Sequence, residues 1–292
     1  MCVKIGIIGC GLMGKGIAYN YIQNKDDVYI YDTNPQVKDW IQENEGIAVD
    51  SLQQLGEKVE FIISSLPTVE AVKDVYLNAL LNVLKPGSVI VDMSTTDAGT
   101  AIEIASIYNE KGMYFFDSPV SGGPNGARNG TLTLMVAGDQ EKFNEILPIL
   151  QVVGKDIIYL GKNGNGQIAK LCHNIVVAST IASIGEAYTV ASKAGLDLEK
   201  LEEILSKGSA SRVLAVFGDN ILKKAYDNVL FSLDHMHKDV SLYTKTAAEL
   251  QVPVLLGAQT YQLFEAAKSQ GLGSKDTTAV CQFIEKLVLS TT

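Results

Sequence analysis

The arrangement that most constrains this chain is an alternation of strand-like and helix-like segments that stops abruptly after Gly166. Residues 3–8 form a short apolar run rich in β-branched side chains and closed by glycines, the pattern of a buried strand. Residues 13–24 then read as a helix, 27–32 (DVYIYD) as a strand, and 35–45 as a helix. Further strands are predicted over 60–67, stopped by Pro67, and over 87–95, 113–123, 131–139 and 155–161. Helices are predicted over 69–77 and 100–112, the latter ended by Gly112. Strand–helix alternation of this length predicts a doubly wound, mostly parallel sheet. Beyond the glycine-rich GKNGNG (161–166), residues 167–194 contain no proline and no strong breaker except Gly185. One helix of about 28 residues, roughly 42 Å long, is predicted there. Helices over 197–206, 211–224, 232–250, 254–270 and 276–289 follow. The expected organisation is an α/β sheet domain over 1–163 and an all-α domain over 164–292, joined by the long helix.

Composition narrows the partners. A net charge of −9 and a pI near 4.9 argue against nucleic acid or an anionic membrane. The 47% apolar fraction is ample for a core. The four cysteines, Cys2, Cys10, Cys172 and Cys281, form no CxxC pair and fit reduced thiols. His235 and His237 have no cysteine near them, so no metal site is expected. No apolar run is read as reaching the roughly 20 residues that span a bilayer, and the start shows no signal peptide. A cytoplasmic location is expected.

The first strand runs into GIIGCGLMG, which places Gly9, Gly11 and Gly14 in G-x-G-x-x-G spacing between a strand and a helix. That context raises a weak pattern to a dinucleotide fingerprint and makes the first domain Rossmann-type. Gly9 makes the turn, Gly11 lets the backbone approach a pyrophosphate, and Gly14 permits close helix packing. Leu12, just before the helix, and Met13, at its start, are expected at the cofactor, where the helix N-terminus attracts phosphate. Asp32 ends the second strand, where a carboxylate bonds ribose hydroxyls and repels a 2′-phosphate. No arginine follows it, which favours NAD over NADP; the alternative is an ordinary turn aspartate. Leu66, Pro67 and Thr95 sit where loops at strand ends line the cofactor crevice.

In SPVSGG (118–123), Ser121, Gly122 and Gly123 offer a hydroxyl and turning amides to a carboxylate, or else form a simple turn. Lys170 and Asn174 are four apart on the long helix and share one face. A lysine there either extends its head to water or exchanges a proton with a substrate hydroxyl as hydride moves.

Three stretches then carry a specific likeness: IGIIGCGLMGKGIA, FFDSPVSGGPNGARNGTLTLMVAGD (115–139) and GNGQIAKLCHN (164–174). With HKDVSLYTKTA (237–247), the chain resembles the β-hydroxyacid dehydrogenase family over essentially its whole length. The resemblance implies NAD-dependent hydride transfer between the cofactor and a small 3-hydroxy acid or its semialdehyde. 3-Hydroxyisobutyrate is the first expectation and tartronate semialdehyde (2-hydroxy-3-oxopropionate) or another short semialdehyde the second, with a catalytically silent dinucleotide-binding scaffold as the alternative outside the enzyme class. It implies that Lys170 is the general acid and base and that Ser121, Gly122 and Gly123 bind the substrate carboxylate. It further implies that Asn174 positions the substrate and that Lys238, beside Asp239, reaches the cofactor. It also implies homodimers or homotetramers built through the helical domain. One departure stands out: the residue before Asn174 is His173, as in the equivalent stretch of 6-phosphogluconate dehydrogenase, where many short relatives carry an amide. That larger enzyme is not the expected identity, because Val177 stands where it has a glutamate and its long C-terminal extension is missing.

Overall fold

Successive residues of a strand face opposite sides of a sheet, and this chain uses both sides. Ile63, Val91 and Phe116 enter one apolar core, while their neighbours Ile62, Ile90 and Phe115 enter another. The computed structural model describes residues 4–24, 27–208 and 210–289; Cys2 and the first residue of the expected first strand lie outside them. Two compact units result, one ending at Lys170 and one beginning at Leu171.

The first unit contains β1 (Lys4–Ile8), β2 (Asp27–Tyr31), β3 (Ile47–Ala48), β4 (Phe61–Ser64), β5 (Val89–Asp92) and β6 (Tyr114–Asp117). These pair in parallel in the order β3-β2-β1-β4-β5-β6. The chain reverses direction across the sheet between β1 and β4, the switch point where such sheets bind ligands. Helices α1 (Leu12–Gln23), α2 (Val37–Glu43), α3 (Leu52–Lys58), α4 (Val69–Lys73) and α5 (Ala98–Glu110) link these strands. A second sheet, β7 (Val120–Ser121), β8 (Leu132–Val136) and β9 (Gly154–Tyr159), follows the first through paired backbone bonds between Asp117 and Ala137. Its β7–β8 pair is antiparallel. Helices α6 (Gly123–Asn129) and α7 (Gln140–Leu150) complete the unit.

The sequence patterning did not predict β3, α3, α6 or α7. The composition of α6, GPNGARN, is that of a turn. It is helical because it packs on α1, where Asn20 donates to the carbonyls of Gly16 and Ala127 at 2.8 and 2.7 Å. Tertiary packing here overrides local propensity.

The long helix is α8 (Asn165–Lys193), which begins in the first unit and runs on into the second. It corrects one expectation: by length and mean hydropathy, 1.4 over its most apolar window, α8 is long and apolar enough to cross a bilayer. Half of that window is buried in the protein, where Ala178, Ile181 and Ile184 join the second unit's core. Gly185 is tolerated mid-helix because a Cβ there would lie 2.9 Å from the Cys281 Sγ. The unit also holds α9 (Leu198–Lys207), α10 (Ser211–Leu222), α11 (Leu233–Glu249), α12 (Leu255–Ala267) and α13 (Ala279–Leu289). The last helix starts three residues later than expected. Buried Asp276 is taken up accepting from the amides of Leu230, Phe231 and Thr278 and from the Thr278 hydroxyl.

Candidate active site

The fingerprint loop is built by close approach. Gly9 has φ +86°, and a Cβ on it would sit 2.3 Å from the Ser65 carbonyl oxygen. A Cβ on Gly14 would sit 1.9 Å from the Gly9 carbonyl oxygen. Gly11 is the opposite case: a Cβ there meets nothing within 4 Å, so its face of the loop is open. Helices α3, α4, α5 and α7 have their N-termini closed by side-chain caps, whereas α1 begins at Gly11 with no side-chain cap and no acidic residue in its first turn. The free amides and positive end of α1 suit a pyrophosphate. Leu12 is 63% exposed beside them, and Met13 packs back onto the core.

Asp32 follows β2 and holds this loop in place. Its Oδ2 accepts from the Cys10 amide at 2.6 Å and its Oδ1 from the Asn34 amide at 2.7 Å. Burial, reinforced by the Asp32 charge, pushes the Cys10 thiol up to about 12, so it is inert as a nucleophile. These residues fit a dinucleotide: an open glycine face, an uncapped helix start and a carboxylate at the end of β2.

The loops after β4 and β5 are tied by one buried network. Asp92 Oδ1 accepts from the Ser64 hydroxyl at 2.7 Å, the Ser94 hydroxyl at 2.5 Å and the Ser94 amide at 3.1 Å. Tyr76 donates to Ser64, and the Leu66 amide donates to the Ser94 hydroxyl at 2.8 Å. The network sets the path of Leu66, exposed Pro67 and half-buried Thr95 at the carboxyl edge of the sheet.

Beyond β6 the chain passes through Ser121 into Gly122 (φ +133°) and Gly123 (φ +62°), conformations that favour glycine. A Cβ on Gly123 would meet nothing within 4 Å. The start of α8 is fixed to this edge by Asp117. Its Oδ1 accepts from the Gly164 amide at 2.9 Å and from the Asn163 side chain at 3.2 Å, and its Oδ2 from the Gln167 amide at 3.2 Å. Burial raises the Asp117 carboxyl to about 6 against the pull of these donors. Lys170 follows Gln167 by one turn and is only 9% exposed.

Within the second unit, Asn174 is buried and its side-chain amide donates to Asp239 Oδ2 at 2.5 Å. The other Asp239 oxygen pairs with the Lys238 ammonium at 3.0 Å. Asn174, Lys238 and Asp239 are therefore one cluster. His173 is half-buried on α8, and His237, one residue before Lys238, hydrogen-bonds Glu265. Asp92, Asp117 and Gln167 were not singled out as site residues from sequence, and Asp239 was named only as the neighbour of Lys238. Each is a common polar residue whose meaning comes from burial, and the only sequence signal is proximity to a glycine-rich loop or to a candidate residue.

Residues 4–161 match the family model described as the NAD binding domain of 6-phosphogluconate dehydrogenase. Residues 164–284 match the one described as NAD-binding of NADP-dependent 3-hydroxyisobutyrate dehydrogenase. Among curated relatives, 2-(hydroxymethyl)glutarate dehydrogenase of Eubacterium barkeri is 33% identical, over 98% of this chain and 96% of its own. The 2-hydroxy-3-oxopropionate reductase of Escherichia coli K12 is 32% identical over 97% of both chains. A crystal structure of 3-hydroxyisobutyrate dehydrogenase from Salmonella typhimurium superposes with a TM-score of 0.89 at 25% identity, covering 96% of this chain and 99% of that one. The chain belongs to the β-hydroxyacid dehydrogenase family, nicotinamide-dependent oxidoreductases that act on a hydroxyl group.

Proposed function

We propose that this protein oxidises, reversibly, a carboxylic acid whose α-carbon bears a hydroxymethyl group, using NAD, with 3-hydroxyisobutyrate as the first candidate substrate. The observation that carries the reading is Lys170: a lysine only 9% exposed, one turn beyond a glutamine bonded into the β5 loop. The relatives support the class by their names. The 2-(hydroxymethyl)glutarate, 3-hydroxyisobutyrate and reduced 2-hydroxy-3-oxopropionate skeletons each join a carboxylate and a hydroxymethyl group to one carbon. They differ only in the third substituent: a carboxyethyl, a methyl or a hydroxyl. Reduction of 2-hydroxy-3-oxopropionate is the second reading, favoured by the relative of that name.

In this reading the bound dinucleotide supplies the hydride acceptor for oxidation and the hydride donor for reduction. Gly9, Gly11, Leu12, Met13 and Gly14 hold its pyrophosphate end, Asp32 its adenosine ribose, and Leu66, Pro67, Thr95 and Lys238 the remainder. Ser121 and the amides of Gly122 and Gly123 take the substrate carboxylate. Lys170 takes the hydroxyl proton during oxidation and returns it during reduction. Asn174, oriented by Asp239, holds the substrate hydroxyl in line. Two free acceptors on Asp32 after its amide bonds suit the two ribose hydroxyls, which supports NAD over NADP.

The reading includes a small soluble carboxylate as partner, a cytoplasmic setting and a homodimer or homotetramer. The oligomer is supported by an apolar groove of about 690 Å³ in the second unit, lined by Ile175, Val176, Thr180, Leu205, Tyr243 and Leu256.

The test is absorbance of the reduced nicotinamide. Purified protein is mixed with NAD, then NADP, and with 3-hydroxyisobutyrate, 2-(hydroxymethyl)glutarate, glycerate, 4-hydroxybutyrate and 6-phosphogluconate in turn. The reading expects turnover with NAD and one of the first three. Turnover confined to either of the last two, or to NADP, contradicts it.

A further inference from the structure

The mechanism leaves Gln167 unused, yet it is fully buried and both ends of its amide are committed. Its Oε1 accepts from the Thr96 amide at 2.9 Å, and its Nε2 donates to the Ser94 carbonyl at 3.0 Å. These two groups flank Thr95, so the side chain clamps the β5 loop on both sides of that residue. The Gln167 backbone amide is in turn held by Asp117, the last residue of β6. The contact leaves no slack: a Cβ on neighbouring Gly166 would lie 2.6 Å from the carbonyl oxygens of both Asp117 and Met135. Lys170 follows on the same helix three residues later, within the same unit. The loop expected to touch the cofactor and the helix turn carrying the expected proton donor are thus joined through one side chain.

We infer that Gln167, seated by Asp117, is a positioning residue that sets the Lys170 ammonium against the Thr95 loop, and so against the reacting carbon. The inference rests on the proposed role of Lys170. The chemistry requires an amide. One acceptor must face the Thr96 N–H and one donor must face the Ser94 carbonyl, which neither a hydrocarbon nor a carboxylate provides. A misplacement of about 1 Å at a reacting group costs on the order of 10²-fold in rate.

The test is a double-mutant cycle with Gln167→Met, which keeps the length and removes both bonds, alone and with Lys170→Ala. Reduced-nicotinamide binding is followed by fluorescence and turnover by absorbance. Gln167→Met is expected to lower kcat by about 10- to 100-fold in the native background and by less than about 3-fold when Lys170 is already alanine. Gln167→Glu provides a second readout. Its protonated carboxyl again offers one donor and one acceptor, so its turnover relative to the native protein should rise as pH is lowered. Equal losses in both backgrounds, with no acid recovery of Gln167→Glu, would mean a purely structural residue and overturn the inference. Unchanged kcat for Gln167→Met would do the same. Native turnover by Lys170→Ala alone would instead remove the lysine from the chemistry, a separate failure visible before the cycle is completed.

Discussion

Asp32 holds its loop in the structure, and a second task, reading the cofactor ribose, is proposed for it. Each carboxylate oxygen accepts one backbone amide, from Cys10 and from Asn34, so the residue shapes the fingerprint loop before any cofactor arrives. A carboxylate oxygen has a second lone pair, which leaves acceptors for ribose hydroxyls and a charge that repels a 2′-phosphate. Asp32→Ala is therefore expected to lower the NAD-to-NADP ratio of kcat/KM by about tenfold or more and to destabilise the fold by about 1–3 kcal/mol, the usual cost of orphaned amides. Steady-state kinetics with both cofactors and thermal melting measure the two effects. An unchanged ratio with a lowered melting point would mean that Asp32 is only a loop strut. Lys170 and Asn174 are legible as candidates at this scale because their signal is local: polar residues one turn apart in an apolar helix. Gln167, Asp117 and Asp239 are not. Their partners lie 71, 50 and 65 positions away in the chain, and nothing in their neighbours announces that they are buried.

The elements were legible where periodicity is strong. The strands of the parallel sheet are continuous apolar runs, and α8 is an unbroken apolar stretch. They were illegible where packing decides, as in α6, which is made of turn residues and is helical against α1. The anchoring of α8 gives a pH dependence with a definite sign. The Asp117 carboxyl titrates at about 6 in the folded protein, above the roughly 3.9 of an unfolded chain. The folded state thus holds this proton more tightly than the unfolded state does. The resulting stabilisation is complete below pH about 4, declines as pH rises, and is lost above about 6. The asparagine variant cannot titrate here. The stability of the native protein minus that of Asp117→Asn is expected to decrease between pH 4 and 6 and to level off beyond. Urea midpoints of both proteins across pH 4–8 measure it. A constant difference, or one that grows with pH, would contradict the assignment.

At the scale of the whole molecule, the first unit's candidate cofactor loops lie at the carboxyl ends of strands, whereas Asn174, Lys238 and Asp239 lie inside helices of the second unit. On the second unit's surface, Leu255 is 82% exposed and Leu256 and Val176 also stand in water. Apolar groups grouped this way mark association surfaces. A second copy of the chain is the proposed occupant. Light scattering should then give a mass at least twice 31.4 kDa, with Leu256→Glu shifting it toward one chain. A native protein of 31.4 kDa would contradict the proposal. The central claim concerns Lys170, and the most direct measurement is the turnover of Lys170→Ala beside its affinity for the reduced cofactor. A fall in kcat of about 10² or more with cofactor affinity retained is the predicted result, given the usual worth of general acid–base catalysis. Turnover close to that of the native protein would show that the proton moves through another group and would remove the basis of the mechanism.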